Sequence, residues 1–279
     1  MVPALVLFAV NAIFPLLYAL DVSLRNYQLL IPLPKHFVGL ANYAHTLSDP
    51  LFWSSLEVTL WFLAGVVFLQ FPAALALAVL LDRLPRGAGW AATILLVPTI
   101  ISPSVVGFQW AQIYNYQFGP LNYLLGLLHL GRPVWTASVK LALPSLIAID
   151  FWEWTPFMVL LLFAGLRSLP QDLIEAARVD GSSFWQVFWR IILPLLRPVI
   201  GIALVLRVLM SFKTFDIIYM LTAGGPGAAT ENLAYYTYIV GFRYFNLGYA
   251  SALAILQLIV VGILARALIG LTDRPTIAA

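Results

Sequence analysis

Residues 175–194 read EAARVDGSSFWQVFWRIILP, a polar island about twenty residues long between two runs, 141–166 and 199–221, each long and apolar enough to cross a membrane. Just ahead of it, Ser168, Pro170 and Gln171 spell a helix start: serine caps, proline suits the first turn, and glutamine three positions after serine completes a capping box. Asp172 and Glu175 then fall in the early turns, where the helix dipole favours negative charge. This pattern predicts a short helix from about Leu169 to Val179. Asp180-Gly181 ends it, because glycine readily takes the backbone angles of a tight turn, and Ser182 or Ser183 caps a second helix through Phe184, Val187 and Phe188. Pro194 and Pro198 mark the entry into the next apolar run. The expected outcome is helix, glycine turn, helix, a stiff protrusion held at both ends by membrane helices.

The composition agrees with that setting. Of 279 residues, 62% are hydrophobic and only 10% charged, and the mean hydropathy is +0.94, so the chain belongs in a bilayer and not among soluble domains. Its net charge of +3 comes from basic residues scattered singly, without a run or a basic face, which points to membrane topology and away from nucleic acid. Zero cysteines exclude a disulfide scaffold, an iron–sulfur cluster and thiol chemistry. His36, His45 and His129 are isolated and have no metal-site spacing, so no metal is expected.

Working outward gives an all-α membrane protein of about six spans, near 2–20, 56–81, 90–114, 141–166, 199–221 and 250–271, in a single transmembrane domain over 1–279. The first run lacks the basic n-region and small-residue cleavage site of a signal peptide and reads as a span. Arg25 to Ser55 is a polar connection with room for a short surface helix. Pro98 and Pro103 break the third run, each removing a backbone hydrogen bond, which predicts a helix bent around a cavity. Placing the connections at 82–89 and 167–197 and the C-terminus on one side gathers eight arginines there, against five basic residues opposite. The sign of that bias puts the polar island and both termini in the cytoplasm.

The spacing Glu-Ala-Ala, three residues, Gly, nine residues, Ile, one residue, Leu-Pro resembles the signature loop of the membrane subunits of ABC importers, matched by Glu175, Ala176, Ala177, Gly181, Ile191, Leu193 and Pro194. The segments at 39–53, 118–125, 152–157 and 211–236 (GLANYAHTLSDPLFW, FGPLNYLL, WEWTPF, SFKTFDIIYMLTAGGPGAATENLAYY) resemble the carbohydrate branch, the maltose-type first permease. In such a family the loop, here 168–194, is a cytoplasmic coupling helix between the fourth and fifth spans, seated in a groove of an ATPase subunit. The resemblance implies that Glu175 bears on an ATPase basic residue, that Ala176 and Ala177 allow close packing, and that Asp180 and Gly181 form the elbow. It also implies a second homologous permease, two cytoplasmic ATPase subunits, an extracytoplasmic sugar-binding protein, and a place among the lipids of a bacterial or archaeal cytoplasmic membrane. Members usually carry a polar tail ahead of the first span, which this sequence lacks.

Charge inside a membrane costs roughly 2.5–3.5 kcal/mol per residue on insertion scales and marks a partner or a pathway. The fourth span carries Asp150 and Glu153, and the fifth carries Arg207, Lys213 and Asp216. At 1.5 Å per residue, Glu153 lies about 21 Å and Arg207 about 15 Å from the arginines at the cytoplasmic ends. Either Glu153 or Asp150 pairs with Arg207, or the charges face a wet cavity or a partner subunit; Lys213 and Asp216 are expected to pair locally. Trp152, Trp154 and Phe157 flank Glu153, while Gln109, Trp110 and Tyr114 close the third span. Aromatic faces beside hydrogen-bonding groups suit a sugar ring, although a tryptophan also serves as an interfacial anchor or packing residue.

No Gly-x4-Gly-Lys-Ser/Thr stretch occurs, and Gly224-Gly225-Pro226-Gly227 is an outer turn with no Lys-Ser or Lys-Thr after it. The chain therefore binds no ATP by a P-loop; it needs no cofactor of its own, and ATP would be bound by partner subunits. No convergent catalytic cluster is visible, so it is not read as an enzyme. Three functions compete: a sugar-importing permease subunit, the same machinery carrying glycerol phosphate or another polyol derivative, and an ion-coupled secondary transporter using Asp150, Glu153 and Asp216.

Overall fold

The computed structural model describes residue 7, residues 9–30 and residues 35–272. Residues 2–6 and 8 of the first expected span, and the chain termini, lie outside them. The protein is mostly helical, with one two-residue strand pair among the described residues, in which Arg25 opposes Phe37 and Asn26 opposes His36.

Four described helices are long and apolar enough to cross a membrane: Pro50–Asp82, Val139–Arg167, Phe184–Phe212 and Leu247–Gly270. A shorter apolar segment, Ala9–Ser23, precedes them. The first connection holds α1 (Ala41–Ser48), followed at once by α2 (Pro50–Asp82). Asp49 separates the two by capping: its Oδ1 accepts from Leu51 N–H at 2.9 Å, with Pro50 in the first turn.

The third expected span comes in pieces, α3 (Ala88–Leu95), Val97–Ile100 and α4 (Pro103–Ile113), interrupted near the two prolines. The fourth is continuous as α5 (Val139–Arg167) and tolerates Pro144 and Pro156. The fifth differs from the expectation of one run. Helix α8 (Leu193–Phe212) stops, residues 213–215 are not helical, and α9 (Asp216–Leu221) resumes. The break is satisfied internally, as hydrocarbon requires: Gln257 Nε2 donates to the Phe212 carbonyl at 2.7 Å and Asn232 Nδ2 to the Thr214 carbonyl at 2.6 Å. The last long helix, α10, runs Leu247–Thr272.

Helix α2 is apolar around its whole circumference, yet its buried stripe is Phe52, Ser55, Thr59, Phe62, Val66, Gln70, Ala74, Ala78 and Leu81. That stripe advances three or four residues at a time and is rich in small and polar residues, while Trp61 and Phe68 point outward. Lipid is as apolar as leucine, so helix contact is driven by close packing, not by hydrophobicity. Two glycines show the closeness. A Cβ at Gly65 would lie 2.6 Å from Ile147 Cδ1 on α5, and one at Gly165 would lie 2.7 Å from Val199 Cγ1 on α8.

Candidate functional site

The polar loop folds as two short helices welded to the bundle. Ser168 does not start the first one: it closes α5, and its Oγ donates to the Gly165 carbonyl at 2.8 Å. Pro170 is the residue before α6 (Gln171–Val179), which carries Asp172 in its first turn and Arg178 in its last, both matching the helix dipole. The expected box between Ser168 and Gln171 is therefore absent.

Gly181, at φ +80°, ends α6. Its N–H donates to the Arg178 carbonyl at 3.1 Å and the Ser182 N–H donates to the Ala177 carbonyl at 3.0 Å, the paired bonds of a Schellman stop. Ser183, of the two serines considered, then caps α7 (Phe184–Val187) in a complete capping box with Gln186. One wide π-helical turn, Phe188–Ile192, leads into Leu193 and Pro194 at the start of α8. Pro194 has no N–H to offer residue 190, which suits a loosened turn at that point.

The residues singled out in the loop divide by face. Ala177, Ile191 and Leu193 are half-buried and pack against an apolar cluster built from Ala78, Leu81, Leu162, Leu166, Leu169, Ile174, Val187 and Leu196. Glu175, Ala176, Asp180 and Gly181 lie on the exposed side, and Pro194 is half-buried. Ile174 and Val187 fasten the loop to the bundle; from the sequence, Val187 is expected only as a residue of the second helix and Ile174 is passed over, although the apolar face of each short helix is a usable signal. The exposed side is not polar throughout: Val179 is 88% exposed, and Leu173, Trp185 and Trp189 are exposed as well.

Within the bundle, Asp150 is the carboxylate that pairs with Arg207. The Arg207 Nη2 hydrogen-bonds to Asp150 Oδ1, its Nε donates to Gln70 Oε1 at 2.6 Å, and Gln70 Nε2 donates to the Asp150 carbonyl at 2.8 Å. All three side chains are buried, so α2, α5 and α8 are joined at one polar node. Gln70 was missed because a lone glutamine in an apolar run carries no spacing signal. Glu153, also buried, has no hydrogen-bond partner for either carboxylate oxygen among the described residues.

Beside this node is a cavity of about 220 Å³ lined by Trp154, Arg207, Lys213, Thr214, Phe215 and Asp216, among others. It opens where α8 breaks, which exposes Lys213 and Asp216. These two do not pair with each other: Asp216 Oδ1 accepts from Ser104 Oγ on α4 at 3.0 Å. The guanidinium of Arg207 lies 6.0 Å from the Trp154 ring centre, and Phe157 meets Trp154 edge-on at 6.4 Å. The other aromatic candidates gather elsewhere. Trp110 contacts Trp152 at 5.7 Å and Tyr114 at 5.1 Å, and Tyr114 stacks on Trp135 at 5.4 Å. Tyr114 is buried in the apolar core, while Gln109 is exposed on α4.

The chain matches a family model, the binding-protein-dependent transport system inner membrane component, over residues 1–276. The chain belongs to that family. The trehalose/maltose transport system permease protein MalF of Thermococcus litoralis is 38% identical over 262 residues, covering 93% of this chain and 87% of the relative. The sn-glycerol-3-phosphate transport system permease protein UgpA of Agrobacterium fabrum is 35% identical over 232 residues, covering 82% and 78%. A chain of a bacterial alginate ABC transporter, solved in complex with an alginate pentasaccharide-bound periplasmic protein, shares the fold with a TM-score of 0.84 at 21% identity, covering 100% of this chain and 94% of that one. As a member of this family, the chain is a multi-pass inner-membrane transport component.

Proposed function

We propose that this chain is the permease subunit of an ATP-driven importer of a mono- or oligosaccharide, forms half of the pathway, and receives its power stroke through Glu175–Pro194. The observation that carries the proposal is the loop: a Schellman-stopped helix, glycine elbow and capped second helix, fastened to the bundle by Ile174 and Val187, with an apolar face left outward. Such an element can take a push and pass it on without bending. In this reading the loop end is cytoplasmic, six spans cross the membrane, and two ATPase subunits supply the ATP sites this chain lacks. A second permease completes the cavity, and an extracytoplasmic binding protein delivers cargo.

The sugar-carrying and alginate-carrying relatives support a saccharide, and the cavity offers Trp154 as a stacking face with Thr214, Lys213 and Asp216 as hydrogen-bonding groups. Glycerol phosphate is the second reading, favoured by the UgpA relative and by a Lys213 ammonium that forms no ion pair with a carboxylate among the described residues. Reconstitution with the second permease, the ATPase and the binding protein in liposomes tests both against a panel of labelled saccharides and glycerol 3-phosphate. ATP-dependent uptake is expected, and the panel names the cargo. Uptake that ignores ATP and follows a proton or sodium gradient would overturn the reading in favour of an ion-coupled carrier.

A further inference from the structure

Leu81 and Asp82, the last two residues of α2, and Arg83 just after them meet the loop region. Leu81 belongs to the apolar cluster that holds Ile174 and Val187. Asp82 Oδ1 accepts from Arg167 Nε at 2.8 Å, on the last residue of α5. Arg83 lays its guanidinium carbon 3.6 Å from the ring centre of Phe184, the first residue of α7. Phe184 in turn stacks on Phe188 at 5.9 Å, so the cation rests on a column of two rings.

The loop is covalently continuous with α5 and α8, whereas α2 meets its second helix through side chains alone. The apolar contact of Leu81 resists compression but is non-directional, and the Asp82 ion pair fastens α2 to α5, not to the second loop helix. The contact between Arg83 and Phe184 supplies a directional link to that helix. It matters because α2 carries Gln70, about 20 Å from Arg83 at 1.5 Å per residue, which hydrogen-bonds to Arg207 and Asp150 beside the cavity.

We propose that Arg83 is a positioning residue for energy coupling: by holding Phe184 it makes α2 move with the loop, so that Gln70 follows Asp150 and Arg207, which the loop drives directly along α5 and α8. The proposal rests on the loop being the ATPase-coupling element.

Its test is the ratio of solute taken up to ATP hydrolysed, measured in one set of liposomes on the full complex. The solute is whichever of labelled trehalose, maltose, other saccharides or glycerol 3-phosphate the wild type takes up best. An exposed cation–π contact supports about a two- to fivefold change. R83A and F184L are each expected to lower the ratio by that factor while hydrolysis persists, R83K to restore it, and R83A/F184L to be no worse than either single change. A purely structural role would lower hydrolysis and uptake together and leave their ratio unmoved. A wild-type ratio in R83A overturns the proposal, as does a wild-type ratio in F184L.

A second measurement does not depend on how the variants fold. The chain has no cysteine, so R83C/F184C introduces its only thiols, with cysteine-free partners. Bridging them with a short bifunctional thiol reagent is expected to raise the ratio back toward wild type. Uptake that stops on bridging and returns on cleavage shows that the two segments separate during the cycle, and overturns the proposal. If wild type with E175A or G181V loses coupled hydrolysis and R83A does not lose its ratio, this inference fails and the coupling reading stands; wild-type uptake without hydrolysis defeats both.

Discussion

Replacing Arg207 by methionine tests the polar node directly. The substitution removes a guanidinium that is 1% exposed and leaves the Asp150 carboxylate buried with, among the described residues, only Gln70 Nε2 as a side-chain donor, one helix turn from a Glu153 whose carboxylate has no hydrogen-bond partner among them. Breaking a buried pair by deleting one member costs about 3–5 kcal/mol, because a buried charge is left uncompensated. At roughly 2–4 °C per kcal/mol for a chain of this order, R207M melts about 6–20 °C below the parent. D150L, which strands the guanidinium instead, falls by a similar amount. The double variant D150L/R207M removes both charges, and an apolar pair of similar volume is neutral or stabilising by about 1–4 kcal/mol, so it recovers to the parent or above. The assay is thermal unfolding of the purified chain in detergent, followed by the fluorescence of its nine tryptophans. Losses that add in the double variant, or an R207M melt within about 2 °C of the parent, would refute the argument that the pair is held by mutual compensation.

Three further outcomes follow from the geometry. At Gly181 a Cβ would meet nothing within 4 Å, so the constraint there is the positive φ and not space; G181N, which tolerates that conformation, is expected to keep ATP-driven uptake, and G181V to lose it while still reaching the membrane. At Gly165 a Cβ would lie 2.7 Å from Val199 Cγ1 and 2.9 Å from Leu196 Cδ1, so G165A costs about 1–3 kcal/mol by overpacking, read as a lowered melting temperature; an unchanged melt would show that α5 and α8 separate freely. Asp49, at the head of α2, is pushed up by burial, but donors outweigh it and hold its carboxyl below the usual value: the hydroxyls of Tyr236 and Tyr249 and the Leu51 N–H, with His45 nearby. A depressed folded value stabilises above the unfolded value, near pH 4, and the stabilisation is lost as pH falls through the folded value. The stability gap between wild type and D49N should therefore be constant from about pH 5 to 7 and shrink below about pH 4; paired melts that show it widening in acid would contradict this.

Much of the loop was legible because its determinants are local. Gly181 stops α6 through bonds that reach no farther than five residues back, and Ser183 with Gln186 caps α7 across three. The one local misreading has a local cause: Ser168 is consumed in closing α5, so it is unavailable to open α6. The interruption near Pro98 and Pro103 was equally legible, since proline cannot donate wherever it sits. The break at residues 213–215 contains no proline or glycine. It exists because Gln257 and Asn232, from distant parts of the chain, accept the cost of freeing two carbonyls by donating to them.

By itself, the sequence determined the family, the mostly helical character and the glycine stop and second cap of the loop, because hydropathy, proline, glycine and capping act within one or two helix turns. The tertiary structure decided which partner each charge takes. Arg207 had two acidic candidates one turn apart on α5, and only the rotation of that helix against α2 and α8 chose Asp150 and brought in Gln70. It also decided that α2 turns its small and polar stripe inward, that Arg83 reaches Phe184, and that Lys213 and Asp216 face a cavity without pairing. A helix apolar on every side has no periodicity to mark its buried face, so that choice rests on how closely neighbouring backbones approach, which only the assembled bundle specifies.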